Sequence, residues 1–218
     1  MESTVTINPP PEESAVSRRR ERDRSLREAD FLAAAEQLFA EKGFHGASME
    51  EIASAAGYGT GTLYLYFKSK GDLYQRLIEM RHDAYLAGLN EAIGATDDPG
   101  DRLRAVVRYL FSFFRKERRF LAIYVSEFLS GHDRLSAGLG ETALKQRGAC
   151  DAVVESVVRD GIAAGAIRPL DPELIKATLD GLCESLLPYS VLRGEADIDS
   201  AERMMLHVVE SAFLLSRP

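Results

Sequence analysis

The chain has 218 residues, 45% of them hydrophobic and 28% charged, enough apolar side chain to bury a core in one or two domains. No apolar run approaches the ~20 residues that span a bilayer, and the acidic, proline-rich start (Pro9-Pro10-Pro11-Glu12-Glu13) lacks the form of a secretory signal, so a cytoplasmic protein without a membrane segment is expected. A net charge of −7 weighs against a uniformly basic nucleic-acid binder, although a basic footprint need cover only one face.

Residues 1–24 carry proline, glutamate and serine with little to bury, and are expected to be disordered. They end in Arg18-Arg19-Arg20-Glu21-Arg22-Asp23-Arg24, read either as a solvated charged leader or as an arm whose arginines touch phosphate or reach the minor groove beside the recognition helix. A first helix is predicted over 26–42, with Ser25-x-x-Glu28 as a capping box and Phe31, Ala35, Leu38 and Phe39 as its buried stripe. Gly43 ends it, and His45 falls in the link that follows.

Residues 48–67, SMEEIASAAGYGTGTLYLYF, then predict two short helices around a turn. Met49, Ile52, Ala53 and Ala56 fall on one helical face, Ser48 and Glu51 can form a capping box, and Gly57 suits the left-handed position after a helix end. The second helix starts at Gly59 or Thr60, with Leu63, Tyr64 and Phe67 as its packing side. That is the spacing of a helix-turn-helix, whose second helix enters the DNA major groove. No carboxylate lies between Glu51 and Asp72, and Thr60, Thr62, Tyr64 and Tyr66 offer hydroxyls to phosphates or base edges.

At Thr60-Gly61-Thr62-Leu63-Tyr64-Leu65-Tyr66-Phe67, at Ser69-Lys70, and upstream at Ala34-Ala35-x-x-Leu38-Phe39-x-x-x-Gly43-Phe44, the sequence resembles the DNA-binding domain of the tetracycline-repressor (TetR) family. The resemblance covers roughly 26–85 and implies a DNA-facing set of Ser48, Gly59, Thr60, Thr62, Tyr64, Tyr66 and Lys70, the last matching the family's phosphate-contacting lysine. Two positions depart from the pattern: Gly59 stands where Ser is usual, a weaker cap, and Thr60 where Lys or Arg is frequent.

Ser69 can cap a fourth helix that runs to about residue 93 along Leu73, Leu77, Met80 and Ala84, with Asp72 complementing its dipole. Thr96-Asp97-Asp98-Pro99-Gly100 breaks the chain, Asp98 capping and Pro99 opening a fifth helix over 99–115. Further helices are predicted over 117–129, from 136 or later to 164, over 171–192 with a kink at Pro188, and from Asp199-x-x-Glu202 onward with Met205, Val208, Val209, Ala212 and Phe213 on its apolar side. No stretch demands a strand. The fold class is all-α, divided into an arm (1–24), a helix-turn-helix domain (25–70, motif 48–67) and a ligand-binding and dimerisation domain (71–218).

For the second half, the resemblance implies a small effector held between helices, with Phe111, Phe114, Tyr124, Phe128, Val154, Cys183 and Leu187 as pocket residues; the same residues also read as plain core. It further implies a homodimer through helices 8 and 9 (about 171–216), a near-palindromic double-stranded operator, and a repressor released by a largely apolar small molecule. Enzymatic chemistry has no support: His45, His82, His132 and His207 lack partners at metal or triad spacing, and Gly57-x-Gly59-x-Gly61 puts Thr62 where a dinucleotide loop needs its third glycine. No metal and no cofactor are expected. Cys150 and Cys183 read as reduced, buried thiols, with a redox pair as the alternative. A helix-turn-helix serving as a protein-interaction module is the remaining alternative.

Overall fold

A computed structural model describes residues 15–129, 141–193 and 196–215. Within them lie nine α-helices: α1 (Ala15–Gly46), broken at Gly43 (φ 71, ψ 169) where the sequence predicts its end, α2 (Met49–Ala55), α3 (Thr60–Tyr64), α4 (Lys70–Gly94), α5 (Pro99–Lys116), α6 (Arg118–Leu129), α7 (Glu141–Ala163), α8 (Pro172–Arg193) and α9 (Ala196–Val208), which runs into a π-helical turn, Val209–Phe213. Among the described residues the only β pairing is an isolated bridge between Ile167 and Leu214, which ties the end of the chain to the α7–α8 connector. The all-α prediction holds.

Most boundaries follow from local chemistry. Ser48 accepts from the Glu51 amide while Glu51 accepts from the Ser48 amide, closing the capping box on α2. At the other end Gly57 has φ 80, with Tyr58 N–H on the Ala53 carbonyl and Gly57 N–H on that of Ser54, the paired bonds of a Schellman cap. Ser69 caps α4 through the Asp72 amide, and Asp98 caps α5 through the Asp101 amide with Pro99 in the first turn.

Three expectations need correction. Residues 15–24, expected to be disordered, continue α1 as helix, because arginine and glutamate are good helix formers and no Gly or Pro lies between them and Gly43; residues 1–14 are outside the described residues. Ser25 is therefore inside the helix, and Glu28 pairs with Arg76 of α4 (3.1 Å) instead of closing a capping box. Asp199 and Glu202 do not open α9, which starts at Ala196; both carboxylates hold Arg115 of α5, at 2.7 and 2.6 Å.

Phe31, Phe39, Ile52, Leu63, Leu73 and Leu77, each 2% exposed or less, form the centre of the N-terminal head, where α1 packs on α2 and α4 and α2 on α3. At ~1.5 Å per residue, the 25 residues of α4 run about 37 Å out of the head and pack on α5 and α7. Against α4 sits an aromatic cluster: Tyr85 contacts Tyr109 and Phe113, Phe113 contacts Phe114 and Phe120, and Phe114 stacks on Phe120. Tyr109 fits because Gly88 has no Cβ; one placed there would overlap the phenol.

Candidate nucleic-acid interface

The recognition element is short. α3 has five residues, opened by Gly59 in extended conformation with no side-chain cap. Leu63 (0% exposed) and, just beyond the helix, Phe67 (4%) anchor it to the head. The opposite side is open: Tyr64 is 50% and Leu65 79% exposed. Tyr64, predicted both to pack and to reach DNA, does not pack inward, because Leu63 already takes that position. Thr60 and Thr62 lie half-buried along the same short helix.

Other members of the predicted DNA set have structural partners. The Tyr66 ring lies 5.4 Å from Phe31 and 6.5 Å from Phe67, so it braces the end of α3. Lys70 donates to the Ala47 carbonyl at 2.8 Å and the His45 carbonyl at 3.4 Å, over the Phe44 ring. It fastens the α1–α2 link, leaving one of its three donors for a phosphate. Ser48 is the α2 cap, and Gly59 the α3 cap position. On the α1 side, Tyr58 donates to Asp30 (2.8 Å), which raises the pKa of its phenol, and its ring meets Phe31 at 5.0 Å. Glu51, held by Lys42 and then by Ser48, has its carboxyl below the usual range and stays charged at the start of α2.

Leu65 is absent from the predicted set, because only the structure shows so large an apolar side chain left uncovered. A second omission is an ion cluster joining the two halves. Arg81 of α4 holds Glu36 of α1 with one edge of its guanidinium, through Nε (3.0 Å) and Nη2, and its Nη1 reaches Glu117, the break between α5 and α6, at 2.9 Å. Nothing in the local sequence signals residues so far apart.

In the second half, Phe111 and Leu187 are fully buried, Phe114 nearly so, and Val154 and Cys183 partly. They come from α5, α7 and α8, and α7 packs on both α5 and α8. The side chains of Tyr124 and Phe128 lie outside the described residues. Burial raises the Cys150 thiol to about 11 and that of Cys183 to about 12, the behaviour of inert thiols. An open groove of about 630 Å³ between the start of α5 and the chain end, lined by Asp98, Asp101, Arg104 and Leu215, contains none of the predicted pocket residues. Among the described residues no helix is long and apolar enough to cross a membrane, and no group of His, Cys, Asp and Glu could hold a metal.

A rigid head offering a short helix outward, joined by one long helix to an all-helical second half, defines a helix-turn-helix DNA reader with a separate sensing domain. Known proteins agree. Residues 31–77 match the family model described as bacterial regulatory proteins, tetR family, and residues 96–188 the tetracyclin repressor-like C-terminal domain. The transcriptional activator FasR of Mycolicibacterium smegmatis is 29% identical over 159 residues, 72% of this chain and 71% of its own. The uncharacterized HTH-type regulator YfiR of Bacillus subtilis is 30% identical over 186 residues, 75% and 89% of the two chains. In fold, the chain is similar to Bacillus subtilis FadR in complex with stearoyl-CoA: TM-score 0.73, 21% identity, covering 84% of this chain and 97% of that one. The chain belongs to the tetR family and is a ligand-responsive, DNA-binding transcriptional regulator.

Proposed function

We propose that the protein is a cytoplasmic, homodimeric repressor that holds a near-palindromic operator through α3 of each protomer and releases it when an apolar effector enters the second half. Residues 25–70 act as the reading head and 71–218 as the sensing and dimerising body. The observation that carries this reading is α3 itself, with Leu63 sealed inward and Tyr64 and Leu65 outward. Thr60, Thr62, Tyr64 and Leu65 meet the groove; Lys70 and Tyr66 chiefly hold the element in place.

An uncovered apolar face supports the dimer. On α8, Leu174 is 67% and Tyr189 48% exposed, with exposed Gly181 on the same side allowing close approach; on the adjoining α9, Met204 is 53% exposed. Two copies joined there would form a four-helix bundle and hold two α3 helices at a fixed separation, as reading successive major grooves ~34–36 Å apart requires.

For the effector, the aromatic cluster on α4–α6 and the buried apolar side chains of Phe111 and Leu187 suit a long hydrocarbon chain, and FadR's stearoyl-CoA makes an acyl-CoA thioester the first class to try. An effector moves the equilibrium only by its differential affinity for the two states, and the Glu36–Arg81–Glu117 cluster is positioned to pass a shift of α6 to the head. The test is a mobility shift on DNA upstream of the protein's own gene, titrated with stearoyl-CoA and with free CoA. Loss of the complex with the thioester alone supports the reading. A complex indifferent to acyl chains of any length removes that effector class, and the absence of any sequence-selective complex removes the operator reading. A reporter driven by the same DNA reads the direction of control, repression being the expected result.

A further inference from the structure

The described part of the chain begins with a feature that a compact reading head does not need. From Ser17 to Arg27, every residue of α1 is exposed. This stretch carries Arg18, Arg19, Arg20, Arg22, Arg24 and Arg27 against only Glu21 and Asp23, an excess of four positive charges in a chain whose net charge is −7. Among the described residues none of the six arginines forms an ion pair, whereas Lys42, Arg76 and Arg81 in and beside the same head all do.

Helical phase gives the extension a direction. Arg20, Arg24 and Arg27 follow one another at i, i+4 and i+7, and the next residue on that stripe is Phe31, whose ring packs on Tyr58 at 5.0 Å and Tyr66 at 5.4 Å. The stripe therefore faces the side of the head that carries α3. Arg24 shows this directly, its guanidinium lying 5.9 Å from the Tyr66 ring. Arg18 and Arg22 point to the opposite side of the helix. Arg20 lies four residues before Arg24, at ~1.5 Å each, so this basic edge extends about 6 Å along the helix axis beyond the Tyr66 contact.

We propose that the Arg20–Arg24–Arg27 edge of the α1 extension is a second DNA-contacting element, lying along phosphates that flank the stretch read by α3. Its partner is double-stranded DNA, argued from charge complementarity and from continuity with the α3 face through Arg24 and Tyr66. Guanidinium groups bind phosphate in bidentate fashion, and such contacts fix register and add affinity without reading sequence. The inference rests on the DNA-reading role above, and the test separates the two.

The full chain and two variants, R20Q/R24Q/R27Q and R18Q/R22Q, are titrated over a range of salt on two duplexes. One is selected by the unsubstituted protein from a random-sequence pool; the other is an unselected duplex of equal length. Each phosphate contact contributes ~0.9 to the slope of log K against log salt, so the triple variant should lose up to about 2.7 per protomer on both duplexes, and R18Q/R22Q less than ~0.9. Glutamine keeps the helix, and thermal unfolding verifies that each variant folds. Equal slopes for the three proteins, or equal losses in both variants, would overturn the proposal. So would weakened binding at unchanged slope, which would mean that Arg24 acts only through Tyr66. If the unsubstituted protein selects no sequence, it is the DNA-reading role that fails.

Discussion

Replacing Arg81 with methionine should be the most damaging single change at the junction of the two halves. The Glu36 side chain is 8% exposed, that of Arg81 19% and that of Glu117 22%, so this cluster is shielded from water far more than a surface pair. Without the guanidinium, two carboxylates face each other with their desolvation uncompensated. Removing one partner of a buried pair costs ~3–5 kcal/mol, against ~0–1 kcal/mol for an exposed one. For a chain of this size each kcal/mol lowers Tm by ~2–4 °C, so a fall of about 6–20 °C is expected. The assay is thermal unfolding of the full-length chain followed by circular dichroism, with E36Q/E117Q added to R81M as the compensating background. Because the cost lies in the stranded carboxylates, that triple variant should recover most of the loss. A fall of 2 °C or less in R81M would refute the reasoning and make the cluster an ordinary surface contact. So would a triple variant no more stable than R81M.

Gly88→Ala should force Tyr109 out of its seat on α4, at a cost of ~1–3 kcal/mol, seen as a lower Tm; an unchanged Tm would mean that α4 and α5 separate freely. Cys150 and Cys183 should react with iodoacetamide at neutral pH far more slowly than an exposed thiol of pKa ~8.5, since so little thiolate forms. Because both folded pKa values lie above the unfolded one, the stability tied to the protonated thiols is complete below about pH 8.5 and is lost as pH rises through 11 to 12. C150S/C183S should flatten the alkaline limb of a stability–pH curve, and an identical limb would contradict the assignment.

What could be read from the sequence was whatever is settled within a few residues. The Ser48–Glu51 box, the left-handed Gly57, the Asp98–Pro99 start and the Leu63–Phe67 anchor each have causes within one helical turn. The helical extension of α1 was hidden by composition: the prolines before it suggest a disordered arm, while arginine and glutamate continue a helix once it has nucleated in the head. Asp199 and Glu202 look like a helix start until Arg115, more than eighty residues earlier, is brought beside them. Lys70 illustrates the same limit at the site. Its place in the motif suggests phosphate, yet the fold brings the Ala47 carbonyl within reach, which only the packing of α4 on α1 decides.

The central claim is that α3, exposed and anchored by Leu63, reads DNA in two symmetric copies. Selection of binding sites from a random duplex pool by the full chain tests it most directly, with T62A/Y64A/L65A compared under the same conditions. The account predicts an inverted repeat whose half-sites lie one helical turn, ~10–10.5 base pairs, or a multiple of it apart, and predicts that this repeat is lost in the variant while its Tm is unchanged. Enrichment of an asymmetric sequence, or of the same repeat by both proteins, would contradict it.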